Sequence, residues 1–444
     1  MSRNAVNAPV RSARSPVPPD SFSKTKGLKP RDRNTLVFIF AVLATAPTLG
    51  SRILTVGLAV AFGWALLAFV FRRCPLQRDR ATVLASAAAG FYALVKVVFT
   101  LAHSGWAGTH TLYGFVLFLA PVFLISYLRR VERSGILNAA IFGCGFSALL
   151  ASPIAAYQVF WIGGRAEAGS GNPGVFAVLA LVMGSIGAIN IAASGRRRFW
   201  LGYLSWLAMV FCVILSGMRG AWVGIPIVTA VILWASAQRL SGATLRRISL
   251  AAAASVAIGV ALTGGMIWER SAQLSTDIAH IMEEGDYDSS TGRRLLMYDA
   301  AWSAILEAPW SGYGIHERMK AVQAQVPADR RDLVRYNHPH NGFLAALLDA
   351  GVTGLVALCL LLAAPVVIAA MADRDETWRT RMAAGIILTV GFVASGMTNI
   401  LFEHDLMDSA FIVLLVLIAA SVPAGDGRRA QTRLSEVDPG DGDA

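Results

Sequence analysis

Two histidines are the side chains of this sequence best suited to acid–base chemistry. His338 and His340 flank a proline in the segment YNHPHNG, and they are two of only 7 histidines. A neutral imidazole can take a proton from an attacking hydroxyl group, and nearby arginines keep it neutral by lowering its pKa. The plain alternatives are a capping histidine or a metal ligand pair, although no third ligand stands at a motif spacing.

Several cations are candidates for binding an anion. Arg219 stands in SGMRGAW, Arg293 and Arg294 head the segment RRLLMYDAAW, and Lys96 lies inside an apolar run. Guanidinium groups bind diphosphate oxygens in bidentate fashion without a metal. The alternatives are snorkelling for Arg219 and Lys96, and a solvated or headgroup-contacting face for the arginine pair.

Together these residues predict one reaction type. Arginines would hold a diphosphate, and a histidine would activate a hydroxyl that displaces it from carbon. A diphosphate is a weakly basic leaving group, so no general acid is needed. The acidic segments are weaker candidates: Asp286 and Asp288 form a three-residue DxD match that chance often produces, and residues 403–405 (Glu-His-Asp) form a small cluster between two apolar runs.

The elements that must position these side chains are transmembrane helices. The chain has 444 residues, of which 55% are hydrophobic and only 15% are charged, whereas soluble domains carry about 25% charged residues. One crossing needs about 20 apolar residues, so the composition allows about twelve. It excludes a disordered chain, a coiled coil and a disulfide scaffold. A nucleic-acid partner is not expected, because basic excess in a membrane protein usually reports orientation.

The predicted architecture is an all-α polytopic membrane protein with about twelve transmembrane helices and one large external helical loop. A disordered basic tail covers 1–33, spans one to nine lie in 34–268, the loop covers 269–341, spans ten to twelve lie in 342–422, and a second tail covers 423–444. The predicted spans are 35–48, 53–71, 82–101, 111–128, 135–161, 174–194, 199–216, 221–237, 249–268, 351–371, 382–397 and 410–422.

Positive charges give the predicted orientation. The two tails and every second connection hold 27 of the 39 Lys and Arg residues. The positive-inside rule therefore places both termini in the cytoplasm and the long loop outside.

The loop contains a predicted amphipathic helix that lies on the membrane surface. Ser290 or Thr291 would cap it, Pro309 ends it, and Leu295, Tyr298, Trp302 and Ile305 recur at helical spacing. Further along, Pro339 suits the first turn of a helix. That turn would place both histidines at a helix N-terminus where the chain returns to the bilayer.

This combination resembles the O-antigen ligase superfamily, which includes O-antigen polymerases and protein O-oligosaccharyltransferases. The segment HNGFLAALLDAGVTG, residues 340–354, matches the family's pattern of His-Asn, nine residues, Gly, two residues, Gly. The segments RLLMYDAAWSAILEAPWSGYG and SGMRGAW are similar to two more degenerate family segments. By topology the resemblance covers most of the chain, and it implies a GT-C-like arrangement of the helices.

The resemblance implies specific roles. His340 takes the family's essential histidine position, with His338 as an alternative base. Asn341 completes the His-Asn pair and is a candidate substrate-binding residue. Arg219 and Arg294 match the arginines that hold the donor diphosphate, with Arg293 as a fallback. The implied activity moves a glycan from undecaprenyl diphosphate to a lipid A–core sugar, with inversion and without metal or other cofactor, on the periplasmic side of the bacterial inner membrane. Lys96 remains a candidate substrate contact, and membrane lipids are expected partners.

Other functions stay open at this point. A polymerase would add glycan to glycan, and a protein oligosaccharyltransferase would use a protein acceptor; the full histidine pattern favours the ligase. A transporter predicts charges at mid-bilayer and broken helices in matching halves, whereas the candidate charges gather at the outer rim. A membrane scaffold, with the loop as an interaction module, is the remaining alternative.

Overall fold

The chain is helical wherever the computed structural model describes it. Within those residues every regular element is a helix, as predicted. The predicted tails lie outside the described residues, except for Lys29 to Arg33 and Pro423 at their inner ends. The described residues are 29–46, 48, 52–193, 195–237, 240–399 and 401–423.

Fifteen α-helices form in these ranges, with four short 3-10 helices between them. Helix α1 begins at Pro30, inside the predicted tail, because proline suits the first turn of a helix. The helices are α1 Pro30–Thr45, α2 Ile53–Val70, α3 Arg80–Ser104, α4 Ala120–Leu128, α5 Arg133–Phe160, α6 Pro173–Ala188, α7 Arg196–Leu215, α8 Arg219–Trp222, α9 Gly224–Ser236, α10 Gly242–Glu284, α11 Ser290–Glu307, α12 Gly314–Gln325, α13 Gly342–Ala370, α14 Trp378–Gly396 and α15 Asp405–Ser421. The 3-10 helices are Gly105–Thr111, Tyr113–Leu119, Ile189–Ala192 and Ala328–Val334.

The chain is a polytopic helical membrane protein. Among the described residues, 7 helical segments are long and apolar enough to cross a bilayer. Helices also occupy each of the twelve segments predicted as spans, but fewer than twelve are established as candidate crossings among the described residues. The count of twelve crossings therefore stays a prediction. The seven segments are Ile53–Val70, Arg80–Thr111, Arg133–Phe160, Pro173–Ala192, Arg196–Leu215, Arg219–Ser236 and Gly342–Ala370.

Helix α6 forms the centre of the bundle, and glycines let its neighbours approach it. Every residue from Gly174 to Ala188 is buried. A side chain at Gly187 would collide with the backbone of Gly145 on α5, and the Ser205 hydroxyl of α7 donates to the Gly184 carbonyl at 2.8 Å. Small residues at membrane helix contacts permit such close packing, which replaces the hydrophobic driving force that lipid removes.

The arginine-rich turns meet at one end of the bundle, which we call the arginine-rich end. Arg129, after α4, pairs with Asp79 before α3 at 2.6 Å and donates to the Ala420 carbonyl of α15 at 3.2 Å. Arg381 of α14 is fully buried and pairs with Asp375 at 2.9 Å. Connections predicted to share one side of the membrane therefore lie together in space.

Helix α10 corrects the predicted start of the external loop. The helix runs unbroken for 43 residues to Glu284, so the boundary predicted at Glu269 falls inside it. Residues 269–284 contain neither glycine nor proline, and the helix ends only where Gly285 adopts a left-handed φ of 63°.

Helix α11 also differs in detail from its prediction. Ser289, rather than Ser290 or Thr291, caps it by accepting from the Gly292 amide at 3.0 Å. Leu295 and Trp302 are 46% and 52% exposed, while Ile305 is buried. The buried face also includes Leu296, Met297, Ala300, Ala301 and Ala304. The predicted apolar stripe did not include these alanines. It joined Ile305, which is on the buried face, to Leu295 and Trp302, which are on the exposed face.

Helix α13 is broken where it enters the bundle. Its first part ends at Ala350, and Gly351 adopts a φ of 58° with ψ −149°. The segment before α12 supplies the missing hydrogen bonds: the Tyr313 amide donates to the Leu348 carbonyl at 2.7 Å, and the Val352 amide donates to the Pro309 carbonyl at 2.9 Å. Irregular backbone at membrane depth requires such burial in protein.

Candidate active site

The two histidines lie side by side in the connection that leads into α13. Their ring centroids are 4.2 Å apart, and both side chains are half-buried. The His340 backbone amide donates to Nδ1 of His338 at 3.2 Å, and the Tyr298 hydroxyl of α11 donates to the His340 carbonyl at 3.0 Å. His340 itself adopts a left-handed φ of 50°. Helix α11 therefore holds the histidine segment in a strained but well-anchored turn.

Helix α13 begins three residues later than its proline suggested. Asn341, rather than a residue before Pro339, is the N-cap, and its side-chain oxygen accepts from the Phe343 and Leu344 amides at 2.9 and 3.1 Å. Its Nδ2 donates to the Met397 carbonyl at 3.3 Å. Asn341 is thus a structural link between α13 and the end of α14, and it orients the adjacent His340.

Both histidines are electrostatically disposed to stay neutral. Burial, with the nearby Arg318 guanidinium and a smaller effect of Arg294, lowers the pKa of His338 to about 4. Burial, with His338 and Arg294, lowers the pKa of His340 to about 4. Because Arg294 acts on both rings, the structure brings this arginine and the histidine pair together.

The two arginines of α11 have different surroundings. Arg293 donates to Asp288 at 3.1 Å and also hydrogen-bonds Tyr336, so its guanidinium is already occupied. Arg294 is half-buried. Among the described residues it has no hydrogen-bond or ion-pair partner. Arg294 is therefore the better placed of the two to receive an anion.

The turn of Arg219 is connected to the histidine segment through the residues that follow α14. It is exposed at the first position of α8. A side chain at the following residue, Gly220, would collide with Thr398, and Thr398 follows the Met397 carbonyl that Asn341 binds. Only this short segment after α14 separates the Arg219 turn from the histidine segment.

Arg165 is an additional cation beside Arg219 that the sequence reasoning missed. It lies in the connection between α5 and α6, and its Nε donates to the Ser216 carbonyl at 2.8 Å. Gly217, with a φ of 66°, packs against the same guanidinium. Its isolation in a connection predicted to face outside was the available signal, since the basic turns are predicted to lie on the other side.

A buried cluster of four charged side chains lies next to the histidine segment; we call it the charge quartet. Its members are Lys96 of α3, Arg318 of α12, Asp349 of α13 and Glu403, which precedes α15. Arg318 donates to Glu403 at 2.7 and 2.9 Å and to both Asp349 oxygens at 3.2 Å. Lys96 contacts Glu403 at 3.1 Å and also binds Asp349. Two cations offset two anions, which is the condition for burying charge.

The charge quartet connects the membrane helices to the histidine segment. The Arg318 Nη2 also donates to the Asn337 carbonyl, immediately before His338, at 3.5 Å. Arg318 and Lys96 hold the pKa of Glu403 low, at about 2, despite burial, which opposes them. Glu403 therefore stays ionised. Asp349 is the last residue but one before the break in α13.

Lys96 is buried among its ion-pair partners. It is 2% exposed, and both neighbouring carboxylates bind its ammonium group. The predicted substrate contact of Lys96 stays a prediction, and the structure adds a second role, because Lys96 neutralises two buried carboxylates. The sequence signal for its partner was a carboxylate in the apolar run FLAALLDAGV, since such a charge needs compensation.

The residues of the two acidic segments, 286–288 and 403–405, include several with structural roles. Asp286 accepts from the Asp288 amide at 2.7 Å, and Asp288 pairs with Arg293. His404 caps α15 by accepting from the Leu406 amide at 3.4 Å. Across the part of the chain that the structure describes, no three His, Cys, Asp or Glu side chains group closely enough to hold a metal.

The fold and this site define a polytopic helical membrane protein with a histidine and several arginines at the end of the bundle opposite the arginine-rich end. The model of a family described as O-antigen ligase matches residues 204–359. That match makes this segment similar to the O-antigen ligase superfamily, a group of glycosyltransferase-like membrane enzymes. The matched residues include Arg219, Arg294, both histidines and Asp349, whereas Lys96 and Glu403 lie outside them.

A Haemophilus influenzae protein of uncharacterised function is also similar to this chain. The two are 25% identical over 169 residues, which is 37% of this chain and 42% of the other protein. The chain therefore matches less than half of that relative's length.

Proposed function

We propose that the protein is an O-antigen ligase that transfers a glycan from undecaprenyl diphosphate to a sugar hydroxyl of lipid A–core. The observation that carries the proposal is the pairing of two neutral histidines with an unpartnered arginine beside them. It is supported by the match to the O-antigen ligase family over residues 204–359. The inner membrane, a periplasmic site, cytoplasmic termini and independence of metal are parts of the same proposal.

His340 is the proposed base. In neutral His338 the Nδ1 lone pair accepts from the His340 amide at 3.2 Å, so that ring carries its proton on Nε2 and has no free lone pair. No such bond occupies His340 among the described residues, where only its backbone is hydrogen-bonded. His338 instead orients its neighbour.

In the proposed reaction the acceptor hydroxyl oxygen attacks the anomeric carbon and forms the new glycosidic bond. The bond from that carbon to the diphosphate oxygen breaks, and the diphosphate leaves with the electron pair. The hydroxyl proton passes to a ring nitrogen of His340. Arg294 and Arg219 would bind the diphosphate oxygens, whose negative charge grows as the bond breaks. Attack from the opposite face inverts the anomeric centre.

The glycines of the histidine pattern support this assignment for a physical reason. Gly351 has a left-handed φ, and a side chain there would collide with the Pro309 carbonyl. A side chain at Gly354 would collide with the Ala346 carbonyl. Both glycines are therefore needed for the break that places Asp349 in the charge quartet.

The test is reconstitution of the full chain in proteoliposomes with an undecaprenyl-diphosphate glycan. Lipid A–core, a second lipid-linked glycan and a protein are offered as acceptors. We expect glycan on lipid A–core. Product on the second glycan would instead identify a polymerase, product on protein would identify a protein oligosaccharyltransferase, and either result would overturn the proposal.

The base assignment is tested in the same assay with His340→Asn. Asparagine tolerates a left-handed φ but cannot accept the proton, so turnover should fall about 10²–10⁴-fold. His404→Asn is the matched control, because asparagine preserves its capping role, and it should retain activity. Wild-type turnover in His340→Asn would refute the assignment.

A further inference from the structure

An apolar cavity opens at the arginine-rich end, far from the proposed active site. It lies between α1, α2, α4 and α15 and has a volume of about 480 Å³. Its apolar wall includes Ile39, Leu43, Leu58 and Val416. This volume is in the range of sites for small ligands.

One polar group of side chains marks the mouth of the cavity. The Arg31 guanidinium lies over the Tyr127 ring, 5.0 Å from its centroid. The Trp64 indole donates to the Tyr127 hydroxyl at 3.0 Å, so the phenolic proton remains available for a further acceptor. Arg31, Asn34 and Tyr127 all line the cavity, and together they offer several donors to an anionic oxygen.

The dimensions of the cavity fit one leaflet of a bilayer. Its α1 wall runs from Arg31 to Leu43, which spans about 18 Å at 1.5 Å per residue. Half of a hydrocarbon core is about 15 Å. The depth therefore matches one acyl chain that enters from the headgroup level and ends near the bilayer midplane.

The charge at the mouth favours an anionic headgroup. The acidic residues on the elements around the mouth are Asp32, Asp79 and Glu132. Of these, Asp79 is already neutralised by its ion pair with Arg129. The basic residues on the surrounding elements outnumber them: Lys29, Arg31, Arg33, Arg72, Arg73 and Arg130.

We propose that this cavity binds an anionic glycerophospholipid, with one acyl chain along α1 and α2 and its phosphate on Arg31 and Tyr127. An acyl chain that moves from the surrounding lipid into this cavity gains little free energy, since both environments are apolar. Selectivity must therefore come from the charge-assisted hydrogen bonds at the mouth.

The test uses purified full-length protein in nanodiscs of mixed composition, with bound lipid quantified by mass spectrometry. Phosphatidylglycerol and phosphatidylethanolamine with identical acyl chains are the probes, and polyprenyl phosphate is a third. We expect about fivefold to tenfold enrichment of phosphatidylglycerol. Arg31→Gln should abolish the enrichment, and Ala61→Phe, which fills the cavity wall, should remove the bound lipid.

Arg33→Gln is the matched control, because it removes the same charge from the same helix but does not line the cavity. It should keep the enrichment, and thermal unfolding should show that all three variants are folded. Equal loss in Arg31→Gln and Arg33→Gln would overturn the proposal, because it would indicate a general surface charge effect. Preferred retention of phosphatidylethanolamine or of polyprenyl phosphate would also overturn it.

Discussion

His340 combines a left-handed backbone with a lowered side-chain pKa. Its pKa of about 4 lies below the ordinary value of about 6.5, so the ring is almost entirely neutral at pH 7. A base with this pKa remains competent in mildly acidic solution. The side-chain pKa of His340 therefore sets the expected pH dependence of transfer.

We expect kcat/KM of the reconstituted enzyme to stay flat from pH 8 to about pH 5 and to fall only as the pH approaches 4. Arg294→Gln removes a positive neighbour that disfavours the imidazolium, so it should raise the His340 pKa and move the acid limb upward. Burial is the larger cause and remains, so the limb should stay below pH 6.5.

The exposed Arg335, which pairs with Asp332, gives a control for loss of loop charge. Arg335→Gln should leave the acid limb in place. An acid limb that Arg294→Gln does not move would contradict the proximity of Arg294 to His340. The accompanying loss of donor affinity does not interfere, because it lowers the rate at every pH.

At the scale of the elements, the charge quartet fastens α3, α12, the break in α13 and the segment before α15 to one another. Lys96→Met would leave two buried carboxylates with one guanidinium. We expect it to lower the free energy of unfolding by about 3–5 kcal/mol, because it leaves a buried charge uncompensated. Thermal unfolding in detergent is the measurement.

The control for this prediction is Lys96→Met combined with Glu403→Gln, which removes one charge of each sign. The double variant should recover part of the lost stability. If it is as unstable as the sum of the two single variants, Lys96 and Glu403 are not energetically coupled. A fully stable Lys96→Met that has lost only donor affinity would contradict the structural role and support a direct substrate contact of Lys96.

The sequence was informative for the helices and for part of the candidate site. Apolar runs located a helix in every segment predicted as a span, because the bilayer imposes a length and a composition on its helices. His340, Arg219 and Arg294 were recognisable because they stand in three segments that resemble those of the O-antigen ligase superfamily. The charge quartet was not, because its partners lie up to 307 residues apart and only folding brings them together.

At the scale of the whole molecule, the grouped arginine turns predict one orientation. In a Cys359→Ser background, Arg335→Cys in the loop should react with an impermeant maleimide in intact spheroplasts. Arg133→Cys, at the arginine-rich end, should react only after permeabilisation. The reverse result would invert the predicted topology and move the active site to the cytoplasm.

The separation of Lys96 from its carboxylates also affects biosynthesis. Asp349 follows Lys96 by 253 residues, which at 5–20 residues per second takes roughly 13–50 s to translate. Throughout that interval α3 must reside in the bilayer while neither carboxylate partner of Lys96 has yet been translated. Stable burial of this lysine therefore depends on helices that emerge last from the ribosome, so late assembly, rather than sequential insertion alone, completes the bundle.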